Sequence, residues 1–173
     1  MKIWLTDVMR LSGITPESIV DGPGLRYVIF AQGCLHHCPH CQNQKTWDLN
    51  AGKEYTVRQV IRLFKKQKTT AIRGVTFSGG DPFLQAGELA QAAQAARQLG
   101  WDIVTYTGYT YEQLIGKNNN DINNLLAAID ILIDGRYIHE LRTADLPYRG
   151  SSNQRMINMP ETLKTGQIIL LDL

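Results

Sequence analysis

The chain reads as an α/β protein built on a parallel sheet. Two observations carry that reading. Short β-branched and aromatic runs alternate with longer segments of helical hydrophobic period, and such alternation implies right-handed βαβ units. In addition, the cysteine loop and the motifs "SGGDP", "YTGYT" and "IDGR" each begin where one of the short runs ends. In folds of this class ligands bind at the carboxyl ends of the strands, so the four segments are expected on one rim.

The elements follow in order. "LRYVIFAQ" (25–32) is apolar enough for a buried strand and runs straight into the cysteine loop. Thr56 caps a helix whose inward positions are Val57, Val60, Ile61 and Phe64. The basic run "RLFKKQK" (62–68) is the wet side of that helix. "GVTFS" (74–78) is the next strand. An Ala-rich helix follows, with Leu89, Ala92, Ala93, Ala96 and Leu99 on one face and Gly100 as its stop. "DIVTYT" (102–107) is the third strand, followed by a helical turn over 111–115 and a polar loop, "GKNNND" (116–121). Asp121 is the expected cap of a helix burying Ile122, Leu125, Leu126 and Ile129. "ILID" (131–134) is the fourth strand, and "QRMINM" (154–159) and "QIILLDL" (167–173) read as two short further ones.

Composition narrows the class. A chain of 173 residues is expected to form one domain, 1–173, around a single core. Its 43% hydrophobic and 20% charged residues are those of an ordinary soluble protein. A net charge of +2 is too weak to imply a nucleic-acid partner. No run approaches the roughly 18 to 20 apolar residues of a membrane span. "MKIWLTDVMRLSG" carries no signal-peptide pattern, and three cysteines make a poor disulfide framework. A cytoplasmic protein with reduced thiols is expected.

All three cysteines lie in "GCLHHCPHCQN" (33–43), as Cys34, Cys38 and Cys41 in the pattern Cys-x3-Cys-x2-Cys. The residues between them, His36, His37, Pro39 and His40, would make a poor core segment. A metal centre is therefore favoured over buried free thiols. Zinc usually takes four ligands in separated pairs, so a Cys3His site would have to recruit His36, His37, His40 or the distant His139. A 4Fe–4S cluster usually takes one thiolate per iron, and three thiolates leave one iron open, which suits a chelating substrate.

On these residues the chain resembles the radical S-adenosylmethionine (SAM) enzymes. In that superfamily the open iron chelates the amino and carboxylate groups of SAM's methionine part. The residue before the last cysteine is usually aromatic there and is His40 here; Gly79-Gly80-Asp81 resembles the superfamily's Gly-Gly-Glu motif. Its glycines let backbone groups approach the SAM amino group; alone, "GGDP" would read as a turn with Pro82 opening a helix. "SIVDGPGLR", "QNQKTW", "FSGGDP", "YTGYT", "ILIDGRYI" and "RGSSNQR" together, from Ser18 to Arg155, resemble the activating enzymes of anaerobic (class III) ribonucleotide reductase. "YRGSSNQR" (148–155) is the most specific piece, although by itself it reads as a turn leading into an edge strand.

The resemblance implies a partial (open) TIM-like barrel of βα units, with cluster and SAM at the strand C-terminal ends. It implies Cys34, Cys38 and Cys41 as cluster ligands, and His40, Cys41, Gln42, Gly79, Gly80, Asp81, Thr107 and Asp134 around SAM. Asp134 reads equally well as a turn residue before Gly135. Tyr106 stands where a related activase family has an aspartate of a monovalent cation site. The implied reaction is reductive cleavage of SAM, followed by hydrogen abstraction from a glycine of the partner, the anaerobic ribonucleotide reductase large subunit. A reduced flavodoxin-like protein is the implied electron donor. The resemblance assigns nucleotide reduction to the partner, and no phosphate-binding GxxxxGK loop is present in this chain. The alternatives are an activase of another glycyl-radical enzyme, of pyruvate formate-lyase type, and a non-catalytic zinc-stabilised binding module.

Overall fold

The computed structural model describes residues 7–171. Seven strands form one sheet: β1 (Val8–Ser18), β2 (Leu25–Ala31), β3 (Lys53–Thr56), β4 (Ile72–Gly79), β5 (Asp102–Tyr106), β6 (Ile131–Asp134) and β7 (Arg155–Asn158). Their spatial order is β3-β1-β2-β4-β5-β6-β7. The four strands expected from the sequence, β2, β4, β5 and β6, are mutually parallel, and β7 falls inside the expected 154–159.

The sheet as a whole is mixed, which corrects the expectation of a parallel one. β1 runs antiparallel to both β2 and β3, and β7 runs antiparallel to β6. β1 escaped the sequence reading because it is only partly buried, contains Gly13 and Pro16, and changes register twice against β2. Antiparallel strands tolerate a wet face and so lack the continuous apolar run of a buried parallel strand.

Among the described residues there are five α-helices: α1 (Val57–Gln67), α2 (Ala86–Gln98), α3 (Tyr111–Gly116), α4 (Asn120–Ala128) and α5 (Met159–Thr165). Thr56 caps α1 in a full capping box with Gln59, as expected. The cap of α4 is Asn119, whose side chain accepts from Ile122 N; Asp121 lies inside the first turn. α5 was not expected. Asn158 caps it, Pro160 sits in its first turn, and Gly166 ends it in the left-handed region at φ 71°. The expected terminal strand 167–173 reduces to one bridge, Leu170 with Ile157; Asp172 and Leu173 lie outside the described residues.

Side-chain alternation sorts the sheet into two faces. Phe77, Ile103 and Leu132 join Phe64 of α1, Leu89 of α2 and Leu125 of α4 in the main core. Val104, Ile133 and Met156 face the other way and pack with Tyr106 and Tyr148. On that second face Arg26 is fully buried. It donates from Nε to Thr76 Oγ1 at 2.7 Å and pairs through Nη1 with Asp102 at 2.6 Å. Thr76 in turn donates to Asp21 O at 2.7 Å, which lays the loop before β2 across this face. The cleft opens there.

Candidate functional site

The loop after β2 closes on itself. Gly33 N donates to Thr46 O at 2.7 Å and Cys34 N to Trp47 O at 3.2 Å, so residues 33–47 form a tight excursion from the strand end. Cys34 and Cys38 are buried, Cys41 is half-buried, and all three thiols are free. They line one cleft of about 520 Å³, together with Gln42, Gly79, Gly80, Thr107 and Gly135. The four segments expected on one rim do meet there, at the C-terminal ends of the parallel strands.

Burial pushes the Cys34 thiol up, against the opposing pull of the backbone N–H groups of His36 and His37. Asn43 N donates to Cys41 Sγ at 3.4 Å. Backbone hydrogen bonds to ligating sulfurs tune the potential of an iron–sulfur group. Trp47 also lines the cleft, and its buried indole N–H has no partner among the described residues. Among those residues, no three His, Cys, Asp or Glu side chains converge closely enough for a single ion.

Gly79 and Gly80 line the cleft, and the packing of the loops around them also requires glycine. Gly79 sits at φ 98°, and a Cβ there would lie 2.6 Å from Ala31 N. A Cβ on Gly80 would collide with the carbonyl oxygen of Gly33. The close approach is between the end of β4 and the cysteine loop, sealed by Gly80 N to Ala31 O and Asp81 N to Gly33 O, each 2.8 Å.

Asp81 is a buried hub. Its carboxylate accepts from His36 Nε2 at 2.7 Å, Thr107 Oγ1 at 3.0 Å, Gly108 N at 3.1 Å and Phe83 N at 3.0 Å. Three of those donors come from other strand-end segments or their loops, so the carboxylate ties the rim together. Thr107 does line the cleft, with its hydroxyl turned to Asp81.

Asp134 is likewise occupied by protein. It is 1% exposed, accepts from Arg155 Nε at 2.9 Å and Nη2 at 2.5 Å, and accepts from Tyr111 N at 2.7 Å. It anchors β7 and the start of α3 to β6, while its neighbour Gly135 lines the cleft. His40 is exposed, at φ 59°, and its ring meets that of His139 at a tilt of 32°, with centroids 4.2 Å apart. Tyr106 lines the cleft and donates to Tyr148 O at 2.8 Å; burial pushes its hydroxyl pKa far up.

The segment "YRGSSNQR" locks the rim from the far side. Gln154 Oε1 accepts from Gly150 N at 2.8 Å, and its Nε2 donates to Gly135 O at 3.0 Å. Asn153 Nδ2 donates to Arg136 O at 2.8 Å. Gln154 and Gly150 also line the cleft.

The chain matches a protein-family model described as a 4Fe-4S single cluster domain over residues 20–157. It is 37% identical to the anaerobic ribonucleoside-triphosphate reductase-activating protein of Vibrio cholerae, over 80% of this chain and 91% of that relative. The protein of the same name from Enterobacteria phage T4 is 37% identical over 86% of this chain and 93% of its own. The chain belongs to this family of activating proteins. A crystal structure of QueE from Escherichia coli overlaps 60% of the chain and 54% of its own at a TM-score of 0.47 and 18% identity, too loose a likeness to add to the argument.

The matched span runs from the loop before β2 into β7 and so contains every strand end that builds the cleft. Within it, sequence reasoning missed two residues. The sequence offers His36 only as a zinc ligand, yet its ring is committed to Asp81. Arg136, in "IDGR", donates from Nη2 to His36 O. The signal for both was present as polar residues inside motifs already singled out, but their partners lie 45 and 100 residues away in sequence.

Proposed function

We propose that this chain activates an anaerobic ribonucleoside-triphosphate reductase by forming a glycyl radical on it. A 4Fe–4S cluster on Cys34, Cys38 and Cys41 and a molecule of SAM beside it are the groups required. The observation that carries this reading is the meeting of three free cysteines from one loop in one cleft, in a chain whose relatives bear that activating name. When bound, cluster and SAM supply the one-electron reductive cleavage whose product removes a hydrogen atom from a glycine Cα of the partner.

The protein's part is to hold and shield. Cys34, Cys38 and Cys41 would hold irons as thiolates, and the Asn43 N–H donates to the Cys41 sulfur. The unpartnered Trp47 N–H is the kind of buried donor that a bound group would satisfy. Gln42, the backbone of Gly79 and Gly80, and Thr107 form the walls offered to SAM, whereas His40 is exposed and does not line the cleft. Asp81 and Asp134 act by fixing those walls.

The same reading takes 1–173 as one radical SAM domain on an open βα barrel. It places the chain in the cytoplasm with a reduced flavodoxin-like donor; among the described residues no helix is long and apolar enough to cross a membrane. The names of the relatives favour the reductase over another glycyl-radical enzyme as partner. Anaerobic reconstitution tests the metal: about four irons per chain are expected, and Cys34→Ala, Cys38→Ala and Cys41→Ala should each lose the cluster. Stoichiometric zinc without iron, in protein purified under strict anaerobiosis, would overturn the reading.

A further inference from the structure

We infer that His36 is a positioning residue, the pin that sets the cysteine loop against the other rim segments, and that Gly108 is a glycine in order to seat it. The inference rests on the cluster-and-SAM reading above and assigns a role to a residue lying between the proposed ligands Cys34 and Cys38.

Three contacts converge on His36. Its Nε2 lies 2.7 Å from Asp81 Oδ2, with side chains 11% and 1% exposed. Its ring meets Tyr109 edge-on, with centroids 4.4 Å apart. Its carbonyl accepts from Arg136 Nη2. The loop after β2 is thereby joined to the segments after β4, β5 and β6 through one residue. A hydrogen bond to a buried carboxylate is stronger than a neutral one, and a donor removed from it leaves the acceptor short of a partner.

Gly108 supplies independent support. A Cβ on it would collide with the His36 ring, lying 2.7 Å from Nε2. Its φ is not in the left-handed region, and the three atoms nearest to an added Cβ all belong to the imidazole of His36. The glycine of "YTGYT" therefore answers to a histidine 72 residues before it, by the difference of their numbers.

A double-variant cycle tests this with two readouts. One is the alkylation rate of Cys34 in the apo protein, which reports loop order without any cluster. The other is the SAM dissociation constant of protein loaded to the parent's iron content. His36→Ala and Gly108→Ala should each raise both by about tenfold, the size expected for loss of one charge-assisted hydrogen bond. His36→Gln, which places an amide N–H where Nε2 lies, should restore both. In the His36→Ala background, Gly108→Ala should add nothing, because the ring it displaces is gone. Unchanged alkylation and SAM affinity in His36→Ala would overturn the inference. So would a Gly108→Ala effect as large with alanine at 36 as with histidine. If the iron-loaded parent failed to bind SAM, the functional reading would fall, and the alkylation arm would still judge the pin.

Discussion

Arg155 grips Asp134 with two nitrogens, Nε at 2.9 Å from Oδ1 and Nη2 at 2.5 Å from Oδ2, beneath the rim that carries the cleft. Asp134 is 1% exposed, whereas the Arg155 side chain is 30% exposed and reaches on to Glu112. The most specific motif of the chain thus ends in an ion pair that holds β7 and α3 to β6.

Removing the arginine alone should be costly. Arg155→Met leaves a buried carboxylate without its counter-charge, a change that typically costs about 3 to 5 kcal/mol. Asp134→Asn combined with Arg155→Met should be less destabilised than Arg155→Met alone, since the stranded charge is then gone. Denaturant unfolding of the apo protein checks the order of the two variants.

Glu112 gives a pH prediction. Hydrogen bonding to Arg155 pulls its carboxyl down to about 2 from an ordinary 4.5. A folded value below the unfolded one means a stability contribution fully present above pH 4.5 and lost as pH falls through about 2. The Glu112 side chain is 55% exposed, so screening should hold the contribution under about 1 kcal/mol. Glu112→Gln should flatten that part of the stability–pH curve and leave neutral stability nearly unchanged. A steeper acid loss in the variant would contradict the assignment.

The glycine pair gives a third. Because a Cβ on Gly80 meets the Gly33 carbonyl, Gly80→Ala should displace the cysteine loop and lower iron loading, with SAM binding falling as a consequence. Gly116→Ala is the control. A Cβ there meets nothing within 4 Å and its φ is not left-handed, so alanine should be neutral or stabilise α3 by about 0.5 to 1 kcal/mol. Full iron in Gly80→Ala would show that the loop tolerates the collision.

The sequence was most legible where burial is continuous. β2, β4, β5 and β6 have apolar runs because helices or loops cover both faces, and Thr56 caps α1 through a bond only three residues long. β1 and β3 were not legible, since a strand with one wet face carries no such run. At the site, the positions were legible and several roles were not. A carboxylate after a strand looks the same in sequence whether it faces a ligand or, like Asp81 and Asp134, collects donors from distant loops. The glycines of "GGDP" suggest a ligand's approach, and the sequence gives no sign that Gly33, 47 residues earlier by their numbers, also packs against Gly80. Long-range pairings of this kind are set by topology, which local patterns do not encode.

The central claim is tested most directly by electron paramagnetic resonance of an anaerobic ribonucleoside-triphosphate reductase incubated with the iron-loaded chain, SAM and a strong reductant. A glycyl radical should appear on the reductase, and should be absent when Cys38→Ala replaces the parent chain. A chain that holds its iron and binds SAM yet leaves the reductase without that radical would contradict the account.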